Sequence, residues 1–167
     1  MKGIRFAFMD KTRKEECLPQ LFDILYHNME EIVPWGADYE KEKVSWLAAV
    51  GPAMEKPPRQ IILMLAGEKL AGYFQYYVSG STFMIEEVQI VPEYQGTTAL
   101  LTLMRHLTDV LPEGIETVAA YSHRLNLKSQ RIIRKLGLEQ QEENSSGDYL
   151  LYLGDFPSVM ARFGKKK

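Results

Sequence analysis

Two carboxylates stand side by side in an otherwise apolar run, TFMIEEVQIV: Glu86 and Glu87. A strand sends neighbouring side chains to opposite faces, so only one of the two can point into a given cleft. Glu86 shares its face with Met84, Val88 and Ile90, which the pattern marks as buried. Glu87 shares its face with Phe83, Ile85, Gln89 and Val91. A carboxylate set among buried apolar side chains has a raised pKa and can accept a proton, directly or through water. Both are therefore candidates for a general base; partial solvation or pairing with Lys or Arg is the structural alternative. The run ends at Val91-Pro92 and turns through Gly96 into a segment that opens a helix. A helix start leaves backbone N–H groups unpaired and carries partial positive charge, so it can bind an anion without a basic side chain. Gly96 removes a Cβ where a ligand would come close.

Other reactive side chains point to less. His27, His106 and His123 are scattered with no metal-ligand spacing, and no metal site is expected. The single cysteine, Cys17, excludes an internal disulfide and a Cys-rich zinc site, which fits a reducing cytoplasm. The opening MKGIRFAFMDKTRKEE has no long apolar run, so no signal peptide is expected. Nor does any apolar run reach the roughly 18 residues that span a membrane. A net charge of −2 offers no bulk attraction to nucleic acid or an anionic membrane.

The elements that must position these residues follow from periodicity. GIRFAF reads as a first strand. Leu18, Leu21, Leu25, Met29 and Ile32 recur at helical spacing up to Pro34, with Pro19 expected in the first turn. ADYEKEKVSWLAAVG reads as a second helix, with Asp38 as N-cap and Gly51 as its stop; PAMEKPPR reads as a loop. QIILMLA and KLAGYFQYYVS are strands joined at Gly67-Glu68, and TFMIEEVQIV follows the turn Ser79-Gly80-Ser81. Leu100, Leu103, Met104, Leu107 and Leu111 then share one helical face, ended by Pro112 and Gly114. IETVAAYS is a strand, NLKSQRIIRKLG a helix capped by Asn126 and Gly137, and LEQQEE and DYLLYLGDF a last hairpin across Asn144–Gly147. The order β-α-α-β-β-β-α-β-α-β-β implies a mixed sheet flanked by helices. Residues 1–167 suit a single domain.

Two of these pieces carry a family likeness. Ile90-Val91-Pro92-Glu93-Tyr94-Gln95-Gly96 followed by a helix resembles the first motif of the GNAT (GCN5-related) N-acetyltransferases. Asn126, Ser129 and Lys135-Leu136-Gly137-Leu138 resemble the second. The element order along nearly the whole chain is also similar. The resemblance implies an α/β (α+β) fold whose central mixed, mostly antiparallel twisted sheet has about seven strands flanked by about four helices. It implies an acyltransferase with acetyl-CoA as cosubstrate and an amine as acceptor. Carried over by position, the pyrophosphate would sit on the backbone N–H groups of Gln95, Gly96, Thr97, Thr98, Ala99 and Leu100. The pantetheine arm would pair beside Val88 to Val91, with the N–H of Val88 or Ile90 polarising the thioester carbonyl. Asn126 and Ser129 match positions near the CoA arm, although capping alone would account for Asn126.

The chain departs from the family pattern twice. Thr98 and Leu100 stand where the phosphate loop has small residues, and Ile133 occupies the usual position of a Tyr that protonates the leaving thiolate. Tyr94 and Tyr121 are substitutes for that donor. Trp35, Tyr39 and Trp46 fall in the region that covers the acceptor site in similar proteins. Tyr73, Gln75 and Tyr77, with Phe74 and Tyr76 on the other face, either line an acceptor pocket or fill a sheet. A non-catalytic acyl-CoA-binding module is the alternative to an enzyme. The acceptor is not legible, and a homodimer is left open.

Overall fold

The computed structural model describes residues 3–96, 98–142 and 147–164. Strands β1 (Ile4–Phe8), β2 (Arg59–Ala66), β3 (Lys69–Ser79), β4 (Thr82–Ile90), β5 (Thr117–His123), β6 (Glu139–Gln141) and β7 (Tyr149–Asp155) form one seven-stranded sheet, in the order β1-β2-β3-β4-β5-β7-β6. The helices are α1 (Lys14–Met29), α2 (Tyr39–Ala53), α3 (Ala99–Val110), α4 (Leu127–Leu136) and α5 (Phe156–Ala161). β4 and β5 run parallel; β1–β2, β2–β3, β5–β7 and β6–β7 are antiparallel. This is the mixed sheet that the element order predicts, and it is mostly antiparallel, as the resemblance implies. The turn expected at Asn144, Ser145 and Ser146 lies outside the described residues. Among the described residues no helix is long and apolar enough to cross a membrane.

The chain divides into two compact units: Met1–Tyr77 with Glu87–Gln95, and Val78–Glu86 with Gly96–Lys167. In the first, Leu18, Leu21 and Leu25 fall on one face of α1 and are buried, as their spacing predicts. Leu18 and Leu21 cluster with Met9, Met54, Ile61 and Tyr73, all at most 5% exposed. Two prolines sit differently from expectation. α1 starts at Lys14, so Pro19 lies beyond the first turn, and α2 runs on through Gly51 and Pro52 to Ala53. Each proline forfeits one N–H bond to the residue four before it. Those residues, Glu15 and Ala48, are exposed.

Trp35, Tyr39 and Trp46 pack around Phe22, with ring centroids 5.9, 5.6 and 5.7 Å from it, and Tyr26 stacks on Trp35 at 5.0 Å. At the rim of this cluster the Tyr39 hydroxyl donates to Asp23, and Lys43 Nζ donates to Asp23 at 2.9 Å and to Tyr39 at 2.8 Å. Burial raises the Asp23 pKa, but the bonds from Tyr39 and Lys43 and the lysine charge outweigh it and hold the carboxyl below its usual range. A depressed carboxylate adds stability above its unfolded pKa, about 3.9, and loses it as pH falls through the lower folded value. Asp23→Asn should therefore be less stable than the parent at neutral pH. Urea unfolding should show that gap closing below about pH 4; a gap independent of pH would contradict the assignment.

In the second unit α3 buries Ala99, Leu103, Met104 and Leu107. Phe83 meets Phe156 edge-on at 5.9 Å. The fifth helix corrects the strand reading of DYLLYLGDF, because Phe156 begins α5. Asp155 accepts from Ser158 N at 2.9 Å and Pro157 sits in the first turn, so the local capping chemistry stops the strand.

Candidate active site

β4 and β5 pair from Thr82↔Thr117 to Ile85↔Ala120, and β4 continues to Ile90. The buried face of β4 is the reverse of the expected one. Phe83, Ile85 and Gln89 are buried, whereas Met84, Val88 and Ile90 beside Glu86 are half-buried. Glu87, itself half-buried, thus shares the more deeply buried face. Both faces carry apolar residues, so alternation alone could not rank them; packing does.

Four contacts fix the end of this strand within the first unit. Val91 N–H donates to Ala71 O at 2.9 Å. A Cβ on Gly72 would stand 2.3 Å from the Gln89 carbonyl oxygen, so only glycine allows β3 this approach. Backbone groups of successive strand residues point to alternate edges, so the Ile90 carbonyl is turned the other way from the Val91 N–H. Asn28 Nδ2 donates to that carbonyl at 3.0 Å and Gln95 Nε2 at 2.7 Å. Asn28 Nδ2 also donates to Gln89 Oε1 at 2.8 Å, and Gln89 Nε2 donates to Glu87 Oε1 at 2.6 Å.

Close to Glu87 lies Tyr73, whose fully buried hydroxyl has no hydrogen-bond partner among the described residues. Burial pushes its pKa well up and the Glu87 charge pushes it further, so the phenol stays neutral. Phe74, Gln75 and Tyr76 are buried too, so this stretch of β3 fills both faces of the sheet.

In the second unit Gly96 has φ +74°, a left-handed conformation that side chains with a Cβ rarely adopt. Two residues on, Thr98 precedes α3 and its side chain makes no capping bond. Gln95 N–H donates to Pro92 O at 3.2 Å, so that donor is already engaged in the short 3₁₀ turn Pro92–Tyr94 and differs from expectation. Thr97 lies outside the described residues. Ala99 is buried and Leu100 half-buried, and α3 starts in spite of the leucine.

At α4, Asn126 Oδ1 accepts from Ser129 N at 2.9 Å, which is the capping role. Asn126→Ala should cost about 1 kcal/mol, read by urea unfolding; no loss would mean that the cap contributes nothing net. Ile133 is only 8% exposed and packs in the core, so the position offers no proton donor. Of the two substitutes, burial and a bond with Glu93 raise the Tyr94 pKa, and Tyr121 is exposed. His123 Nδ1 accepts from Leu125 N at 3.1 Å. Among the described residues no group of three His, Cys, Asp or Glu side chains could hold a metal.

Asn28, Gly72 and Gln89 were missed from sequence. Gly72 had a signal, since a glycine inside an aromatic strand marks close backbone approach. Asn28 and Gln89 had none.

No protein-family model matches the chain, and no curated protein matches it in sequence. Solved structures match it in shape. An acetyltransferase from Thermus thermophilus superposes with a TM-score of 0.69 at 16% identity, over 92% of this chain and 97% of that one. The PaiA N-acetyltransferase of Thermoplasma acidophilum, in complex with coenzyme A, gives 0.67 at 14% identity, over 92% and 99%. FdhC, an apo nucleotide-linked sugar GNAT, gives 0.62 at 10%, over 96% and 90%. The chain has the GNAT fold. In this chain the turn at Gly96 lies between β4 and α3, and Asn126 caps α4.

Proposed function

We propose that the protein is an N-acetyltransferase that moves an acetyl group from acetyl-CoA to a primary amine of a small molecule or peptide. The carrying observation is the turn at Gly96 leading, in a GNAT fold, into α3, whose N-cap residue Thr98 makes no side-chain capping bond. There the N–H groups of Gly96, Thr98 and Leu100 would take the pyrophosphate, with the helix dipole favouring its charge. On the edge of β4 turned away from β3, Val88 and Ile90 would hold the pantetheine arm by backbone pairing; Val91, expected to join them, has already given its N–H to Ala71 O. With its carbonyl already capped by Asn28 and Gln95, Ile90 offers its N–H to the thioester oxygen.

The amine attacks the thioester carbon directly in a ternary complex. A C–N bond forms, the C–S bond breaks, and the electron pair leaves on sulfur. An alkylamine has a pKa near about 10.4 and must shed a proton to react. Glu87 is the proton acceptor, directly or through water: it sits on the more deeply buried face of β4 and Gln89 holds one of its oxygens. Glu86, on the half-buried face, is the weaker candidate. A thiol pKa near about 8.5 lets the thiolate leave and take its proton from water.

A second reading, a non-catalytic acyl-CoA-binding module, is favoured by the buried Ile133 where a tyrosine donor would stand. Calorimetric titration with acetyl-CoA tests what both readings share. Saturable heat with a rise in Tm is expected; neither heat nor a thermal shift at high ligand concentration would remove both.

A further inference from the structure

Three side-chain amides and a carboxylate form a single line in the first unit: Gln95, Asn28, Gln89, Glu87. Gln95 Nε2 donates to Asn28 Oδ1 at 3.3 Å, Asn28 Nδ2 to Gln89 Oε1 at 2.8 Å, and Gln89 Nε2 to Glu87 Oε1 at 2.6 Å. The polarity of the line is dictated at both ends. An ionised carboxylate only accepts, so Gln89 must show Glu87 its NH2 and turn its oxygen to Asn28. Asn28 must then show its NH2 to Gln89 and its oxygen to Gln95. The Ile90 carbonyl, also an acceptor only, independently demands an NH2 from both Asn28 and Gln95, and receives both. Gln89 is 6% exposed, so water cannot readily replace a lost partner.

We propose that Asn28 is a positioning residue for acetyl transfer: it orients Gln89, and through Gln89 it holds the Glu87 carboxylate in place while clamping the Ile90 carbonyl. Because it sits in the last turn of α1, it ties that helix to the strand bearing the base and to the residue just before Gly96. The inference rests on the reading of Glu87 as proton acceptor.

Asn28→Asp tests it with almost no change of size. Aspartate cannot donate to Ile90 O or Gln89 Oε1, so Gln89 must turn over or lose its partner. With Glu87 intact, kcat for thiol release should fall about tenfold while the KM for acetyl-CoA stays within about twofold. In a Glu87→Gln background, Asn28→Asp should cost little further, because residues that act through one another are not additive. Asn28→Ala, a second variant without the added charge, should behave the same way, and circular dichroism confirms folding for each. Equal losses in both backgrounds would overturn the inference. A second readout needs no activity. In the ligand-free protein the Gln89 side-chain amide protons should exchange slowly and give a 15N–1H pair that shifts in Glu87→Gln. That pair should move and exchange faster in Asn28→Asp. Unchanged Gln89 signals would overturn the positioning role even if the protein acetylates amines. Shifted signals in a protein that releases no thiol would uphold the hydrogen-bonded line and overturn its part in transfer, the fault then lying with the proposed function.

Discussion

Glu87→Gln should lower kcat for amine acetylation about 100-fold, with acetyl-CoA binding within about threefold of the parent. The substitution is nearly isosteric and keeps an oxygen that accepts from Gln89 Nε2, so the strand and its supporting amides stay in place. What it removes is the ability to take a proton. Positioned general bases contribute roughly 10²–10⁴-fold; the low end applies where proximity carries much of the rate, as in direct attack by a bound amine. The loss should appear in kcat and kcat/KM together, the pattern of an interaction needed only in the transition state. Glu86→Gln is the comparison, and its fall should be the smaller, since Glu86 lies on the less buried face of β4. Steady-state thiol release at saturating acetyl-CoA decides between them. If Glu87→Gln turns over at the parental rate, Glu87 is not the base.

Gly72→Ala should destabilise the protein by about 3 kcal/mol, the top of the usual range for overpacking. The added methyl would meet backbone on β4, not a mobile side chain: Gln89 O at 2.3 Å, Ile90 Cα at 3.0 Å and Gln89 C at 3.2 Å. None of these can move without shifting the strand end that Val91 N–H and Asn28 hold. The damage should therefore reach the site as well. A drop in urea midpoint with an unchanged m-value is expected, and the residual folded protein should bind acetyl-CoA more weakly. Parental stability would mean that β3 and β4 can part there without cost.

Much of the fold was legible because its signals are local. Leu103, Met104 and Leu107 announce the buried face of α3, and Asn126 with Gly137 brackets α4. Val91-Pro92 and Gly96 mark the strand–turn–helix that the resemblance joined to acetyl-CoA. What could not be read depends on partners far along the chain. Asn28 meets Gln89 across 61 residues and Gln95 across 67, and no periodicity encodes an amide pair. Alternation sets Glu86 and Glu87 on opposite faces, but both faces carry apolar residues, so the sequence did not show that Phe83, Ile85 and Gln89 would be the buried set. α5 was hidden because the apolar run through Gly154 continues smoothly into Phe156, although Asp155 and Pro157 already carried a capping signal. Leu100 stands where the family has a small residue, and α3 begins at Ala99 all the same.

The central claim is that acetyl-CoA gives up its acetyl group to an amine on this protein. The direct measurement is thiol release from acetyl-CoA by the purified protein over a broad panel of primary amines, with the product identified by mass spectrometry. The account predicts amine-dependent thiol release, one acetylated amine for each thiol, and its loss in Glu87→Gln. Saturable binding of acetyl-CoA with no amine-dependent thiol release anywhere on the panel would contradict it.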